Sequence, residues 1–513
     1  MFTNCKWPNN PFYTHSILVI NTFKLYNMNN FESIEPKDIW KYFAEICKIP
    51  RPSKKETLVI SYLQDFAQKN NLDAKTDAAG NVLISKPAYP GFEKLQPVVL
   101  QSHMDMVCEK NSEVSHNFAT DPIKAFIDGD WVKAEGTTLG ADDGIGIAAQ
   151  LAILASKQIK HGPLECLFTV DEETGLTGAF EMKEGFFNSK ILLNLDSEDE
   201  GELFIGCAGG IDTVATFAYD AEKVPTDSIA LKITVKGLAG GHSGDDIDKN
   251  RGNSIKIINR FLWKGTHKYD LRLSHLDGGN LRNAIPREAF AIITIHKDDK
   301  AEMIKEFEKL REAIYGEIKD VEPGLTINLE NTELPQYVID EPTHYDLLNS
   351  LYACPHGVIA MSRQLKGLVE TSTNLASVKF IQDNQILVTT SQRSSVDSAK
   401  IDISNMVESV FRLANANIQH SDGYPGWSPN TNSRILQITK ASYQKLFGVE
   451  PVVRAIHAGL ECGLFLEKYP SLDMISFGPT IRGAHSPDEK INIPTTQKFW
   501  DLLLDVLVNI PQK

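Results

Sequence analysis

Short apolar runs punctuated by turn residues dominate the chain between about residues 78 and 205. Asn81–Ser85, Val98–Gln101, Leu164–Val170 and Ile191–Leu195 are nearly continuous in apolar character. Strands buried on both faces have this pattern, because neither face leaves a regular position open to water. A helix-length stretch, Gly144–Lys157, separates the second run from the third, and a helix-like stretch, Pro36–Ile46, comes earlier. This alternation predicts an α/β fold with a mostly parallel mixed sheet flanked by helices.

From about residue 225 to 415 the period changes. Ile229–Val235 and Ala289–His296 alternate like amphipathic strands, Ser254–Trp263 and Lys300–Ile318 have helical spacing, and Leu325–Leu329 is a further strand. The order is close to β-α-β-β-α-β, the split βαβ arrangement, with one strand unassigned. A weaker echo follows in helix Thr343–Ala353, strands Ala376–Gln382 and Gln385–Arg393, and helix Ser398–Ala416. Helix–strand–helix texture then returns in Ser433–Phe447, Asp473–Phe477 and Thr496–Val508. The pattern predicts a discontinuous domain, 28–215 plus 421–513, with an α+β domain of split βαβ units inserted at 216–420.

Residues 1–27 are set apart from both. They hold Lys6 and Lys24 but no acid and no arginine, and their apolar stretch Ser16–Phe23 is short and broken by Asn21. That is a poor secretory signal and a poor mitochondrial one. We read Met28 as the physiological start and 1–27 as upstream sequence or a poorly ordered tail.

Composition changes this picture in three ways. A formal charge of −15 over 513 residues argues against non-specific nucleic-acid binding, which needs clustered Lys and Arg. No run reaches the roughly 18 apolar residues of a spanning helix, so no membrane partner is expected. The seven cysteines are scattered and never spaced C-x-x-C, which indicates a reducing, cytoplasmic compartment. Cys108, close to the residues singled out next, is read as a packed thiol.

Polar residues with chemistry cluster where the apolar runs end. After Val98–Gln101 come His103 and Asp105, two apart and so on one side of an extended chain. Asp142 and Asp143 sit among glycines at a helix start, where acids are favourable for structural reasons alone. Asp171, Glu172 and Glu173 follow the third run, and Asp196 follows the fourth. Three consecutive acids repel one another unless a positive group stands among them. His485 lies in the turn-rich loop after Asp473–Phe477. Two histidines and three carboxylates suit two zinc ions that share a bridging carboxylate and leave a position open for water.

The ordered motifs QSHMDMV, TTLGADDGIG, DEETGLTGA, NLDSED, GGHSGDDI, NLRNAIPREA, HAGLECGLF and GPTIRGAHSPDEKI resemble those of the aminoacyl-histidine dipeptidases. These are also called Xaa-His or cytosolic non-specific dipeptidases, and they belong to the co-catalytic zinc peptidase clan that includes aminoacylases. The resemblance runs from about Ile34, through CKIPRPSKKE, to the C-terminus. It implies His103, Asp142 and Asp196 on one zinc, with Asp142 bridging to a second held by Glu173 and His485. It implies that Asp105 orients His103, that Glu172 is the general base, and that His242 on the inserted lid domain stabilises the tetrahedral intermediate. Asn283, Arg393 and the backbone near Gly459 are implied to hold the substrate carboxylate, and the link after Asp142 to be a cis peptide.

The leading expectation is a dinuclear zinc dipeptidase cleaving unblocked dipeptides such as Xaa-His, with cobalt or manganese as substitute metals. A homodimer through the inserted domain is a further implication of the resemblance. The alternatives are a related N-acyl amino acid deacylase or tripeptide aminopeptidase and, from another class, a non-catalytic metal-stabilised binding protein. Asp143, His457 and Glu461 lie in matching motifs without an assigned role.

Overall fold

The structure, a computed structural model, describes residues 31–513. The segment 1–27, the Met28 start and Cys5 lie outside the described residues. Four strands, Leu164–Thr169, Val98–His103, Ile191–Asn194 and Asp473–Ser476, run parallel at the centre of an eight-stranded sheet. Val82–Lys86 and Asp73–Thr76 extend one side antiparallel, while Glu202–Cys207 and Val452–Ile456 complete the other. Every residue of Val98–His103 and of Ile191–Asn194 is buried, which is why those runs alternate so little.

Helices Lys37–Ile46, Thr57–Lys69, Ala141–Ala155, Arg434–Phe447 and Ile493–Val508 share one hydrophobic cluster with this sheet. In the first, Ile39, Trp40, Phe43 and Ile46 recur at helical spacing and are fully buried. Each such side chain contributes about 1.5–3 kcal/mol. Ala141–Ala155 is buried on all sides, and its sequence, ADDGIGIAAQLAILA, is correspondingly small and apolar beyond its two acids.

The second hydrophobic cluster belongs to a nine-stranded antiparallel sheet. Its first half orders its strands Thr326–Asn331, Ser228–Lys236, Ala289–His296, Arg272–Gly278, with helices Ser254–Tyr269 and Lys300–Ile318. The second half orders Val369–Ile381, Gln385–Ser394, Gly209–Ala218, Asn417–His420, with helices Glu341–Ala353 and Asp397–Leu413. The halves have the same β-α-β-β-α-β order and meet where Gly278 pairs Val378. Gly357–Met361 adds a strand beside Val369–Ile381.

Two details differ from the sequence reading. The unassigned strand is Arg272–Gly278, whose alternation is broken by a register shift between Leu273 and His275. The expected division at residues 215 and 216 falls inside Gly209–Ala218, whose ladder partners, Gln385–Ser394 and Asn417–His420, lie in the nine-stranded sheet. Its opening glycines disguise it as a turn. They are there because the Tyr424–Gly426 segment approaches closely, and a Cβ on Gly209 would stand 2.5 Å from the Gly426 nitrogen.

Candidate active site

The parallel strands end on one edge of the sheet, and their exits bring the acids together. His103 closes its strand, Asp196 follows Ile191–Asn194, Glu172 and Glu173 open a short turn of helix after Leu164–Thr169, and His485 follows Asp473–Ser476. Asp142 reaches this edge from the start of Ala141–Ala155, where it and Asp143 depart from helical geometry and are joined by a cis peptide. One Asp142 oxygen stands 3.0 Å from His103 Nε2, the other 3.3 Å from His485 Nε2. His485 Nε2 is also 3.0 Å from Glu173, and His103 Nε2 is 3.6 Å from Asp196.

Asp105 lies behind His103, with one oxygen 3.3 Å from Nδ1. That oxygen accepts the Glu172 N–H at 3.0 Å, while the second accepts from the Ser53 hydroxyl at 2.8 Å and the Glu173 N–H at 3.3 Å. Asp105 therefore holds the turn that carries the two glutamates and lies beside the imidazole, whose buried Nδ1 has no hydrogen-bond partner. The run of three acids does not point one way. Asp171, in the left-handed region at φ +50, turns its carboxylate to the hydroxyls of Thr174 and Thr177.

Charge is concentrated here beyond what hydrogen bonds relieve. Burial, followed by the repulsion of Asp196, Glu173 and Glu461, raises Glu172 well above the ordinary carboxylate range against the pull of His103. Burial likewise pushes Asp196 up to about 7, although His103 opposes it. Hydrogen bonds donated to Asp142 and Glu173 raise His485 to about 11. Burial opposes a proton on His103, yet the surrounding aspartates win and lift it well above its usual value. Glu173 Oε1 is buried with no hydrogen-bond partner. His103, Asp142 and Glu173 each offer a ligand atom, all within 4.8 Å of one another. Imidazole nitrogens and carboxylate oxygens at this spacing, one oxygen orphaned, fit a divalent metal. Another close group, Glu56, Asp105 and Asp171, is bracketed by N–H and hydroxyl donors instead.

The nine-stranded unit faces this edge across a cleft. A cavity of about 630 Å³ is lined by Glu172, Glu173, His242, Asn283, Arg393, Gly459 and His485. A neighbouring one of about 720 Å³ shares Glu172, Glu173, His242, Gly459 and His485 and adds Asp142, Asp196 and His457. Of the residues to which the resemblance gives a role, all but His103 and Asp105 line one or other of these cavities; Asp143, Asp171 and Glu461 line neither. His242 Nδ1 stands 3.3 and 3.4 Å from the backbone nitrogens of Gly244 and Asp245 and 3.3 Å from the Asp245 carboxylate, which together fix the ring. Arg393 is almost buried and donates to the Tyr424 hydroxyl at 3.2 Å, with Nε free of protein partners. Burial holds the Cys108 thiol at about 11, in keeping with a packed side chain.

Several participants went unassigned in the sequence. Glu461, fully buried, accepts from Gln101 at 2.6 Å and Thr169 at 2.7 Å, and Gln101 accepts from Asn194 at 2.6 Å. It thereby ties together the strands that carry His103, Glu172 and Asp196. Ser53, Arg51 and Glu489 are buried or half-buried partners of the same edge. Their one sequence signal was membership of the matched motifs.

The sequence matches the Peptidase family M20/M25/M40 over residues 99–509. It is 43% identical over 487 residues to the cytosol non-specific dipeptidase of Escherichia coli K12, covering 95% of this chain and 100% of that protein. The crystal structure of aminoacylhistidine dipeptidase from Vibrio alginolyticus superposes with a TM-score of 0.88 at 45% identity, covering 94% of this chain and 99% of that one. The aminopeptidase PepT of Bacillus cereus shares the fold at 15% identity and a TM-score of 0.54 over 93% of this chain and 99% of its own. With a cluster of metal-ligand side chains at the ends of parallel strands and a family match across most of its length, the chain belongs to Peptidase family M20/M25/M40, the metal-dependent peptidases.

Proposed function

We propose that the chain is a dinuclear zinc dipeptidase that hydrolyses unblocked dipeptides, Xaa-His among them. The observation that supports this best is Asp142, whose two oxygens face two histidines on opposite sides. His103, Asp142 and Asp196 would hold one ion, and Asp142, Glu173 and His485 the other. When bound, the two ions supply Lewis acidity that makes water a nucleophile near neutral pH and polarises the scissile carbonyl.

The protein's own groups do the rest. Glu172, buried and outside the ligand set, takes the proton of the attacking water and passes it to the leaving amine. His242 stabilises the developing oxyanion from the lid side of the cleft. Arg393 and Asn283, on the nine-stranded unit, and the backbone near Gly459 bind the free carboxylate; the planar guanidinium offers two parallel donors. The nine-stranded unit acts as a lid that shapes the substrate end of the cleft.

This reading takes a small peptide as partner, a homodimer through the lid as assembly, and the cytosol as compartment. Six free cysteines among the described residues and the cytosolic E. coli relative support that compartment. No helix among the described residues is long and apolar enough to cross a membrane. The deciding experiment assays Xaa-His, other dipeptides, a tripeptide and an N-acyl amino acid, each with and without a chelator. Chelator-sensitive cleavage of dipeptides above the rest is expected. Preferred cleavage of the tripeptide or the N-acyl amino acid would replace the dipeptidase reading, and insensitivity to chelation would overturn the mechanism.

A further inference from the structure

We propose that Glu489, acting with Arg51, is a positioning residue that grips the loop Leu139–Asp142 from two sides and so places Asp142 between the two histidines. The inference rests on the reading of Asp142 as the shared metal ligand. Glu489 is almost fully buried, in the loop that also carries His485. Its Oε2 accepts the N–H groups of Leu139 at 2.6 Å and Gly140 at 2.9 Å; its Oε1 accepts those of Ala141 at 2.7 Å and Asp142 at 3.3 Å. Four consecutive amides thus converge on one carboxylate that is remote in sequence.

Arg51 holds the other side of the same loop. Its Nη2 donates to the Gly140 carbonyl at 2.5 Å, and its Nη1 donates to the carbonyls of Asp105 at 2.5 Å and Met104 at 3.2 Å. Gly140 is therefore held by its N–H and by its carbonyl at once. It sits at φ +68, and a Cβ there would fall 2.5 Å from Arg51 Nη2, so the grip requires glycine. Through these two side chains the Asp142 loop is fixed to the strand exit of His103 and to the loop of His485. Those are the two segments whose histidines Asp142 must reach together.

The rival, merely structural role is a long-range cap. The first amides of Ala141–Ala155 need acceptors, and any buried carboxylate would serve them. The two roles separate in the metal-free protein. Wild type, Glu489→Gln and Glu489→Asp would be stripped of metal, then compared in zinc affinity against a chromogenic chelator and in unfolding temperature without metal. Partners behind metal ligands typically alter affinity by about 10–100-fold. A loss of that size in at least one zinc-binding step is expected for Glu489→Gln, a smaller one for Glu489→Asp, with metal-free unfolding close to wild type. Wild-type zinc affinity in Glu489→Gln overturns the proposal, and lowered metal-free stability beside it identifies the cap.

If Glu489→Gln does not fold, Glu489→Asp carries the same two readouts, and its unchanged affinity overturns the proposal equally. Should the wild type bind zinc but cleave no dipeptide, the dipeptidase reading fails while the affinity comparison still decides the role of Glu489.

Discussion

At the exits of the parallel strands His103 faces Asp105, Asp142 and Asp196, whereas on helix Glu341–Ala353, packed against the antiparallel sheet, His344 faces the Thr266 hydroxyl and the Leu273 amide. Both rings are buried, and burial disfavours the charged form of each. The outcomes are opposite. Three aspartates lift His103 well above its usual range, while His344, with only neutral donors and acceptors in hydrogen-bond contact, drops to about 3. His356, beside Lys256 in the same antiparallel unit, drops to about 4, burial being the main cause. The difference lies in chain direction. Parallel strands all release their next residues at one edge, so acids that are distant in sequence collect there. Antiparallel neighbours end at opposite edges, and the nine-stranded unit spends its buried polar groups on pairing with one another.

Removing the base from the charged edge should have the largest effect. Glu172→Gln keeps the shape and loses the proton acceptor, so kcat should fall about 10²–10⁴-fold. Zinc content, measured on the same sample, should not change. Substantial turnover in that variant would show that the charge at this edge serves metal binding alone.

Metal removal should divide the two regions. An ion held at about 1,000 times its dissociation constant stabilises the folded state by about 4 kcal/mol. Chelation should therefore lower hydrogen-exchange protection in Val98–His103 and Ile191–Asn194 and leave Ser228–Lys236 and Ala289–His296 unchanged. Equal loss in both sheets would break the comparison, because the antiparallel unit would then depend on the metal too.

The sequence displayed the charged edge far better than the parts that brace it. Of the proposed ligands, His103, Glu173 and Asp196 come at the ends of apolar runs, and a polar residue at the end of a buried strand stands out against what precedes it, as Asp196 does after Ile191–Leu195. Glu489 and Glu461 have no such contrast. One lies in a loop and the other opens a helix, both ordinary places for an exposed acid, and only tertiary packing buries them. The same limit hid two strands. Arg272–Gly278 loses its alternation at a bulge, and Gly209–Ala218 begins with glycines whose reason is the distant Tyr424 segment.

Arg393 is where the antiparallel unit contributes a charge of its own to the cleft. A hydrogen bond to a charged group contributes about 1.5–3 kcal/mol, so Arg393→Ala should lower kcat/KM for a free dipeptide about 10–100-fold. The C-terminally amidated peptide, which has no carboxylate to lose contact with, should be nearly indifferent to the change. Equal losses on both peptides would remove Arg393 from carboxylate binding.

The smallest effect tests the neutral histidine. His344 has an ordinary value of 6.5 and drops to about 3 in the fold. Between those values the unfolded chain binds a proton that the folded chain refuses. Its contribution to stability is therefore complete above about pH 6.5 and falls by about 1.4 kcal/mol per pH unit as pH drops toward 3. The Leu273 amide, which donates to His344 Nδ1, is the natural probe. Between pH 7 and pH 5 its exchange protection in the wild type should fall by about 2 kcal/mol more than in His344→Gln, which cannot take up the proton. An equal fall in both would mean that His344 charges within the fold, and that burial beside neutral hydrogen-bond partners does not separate it from the histidines at the parallel edge.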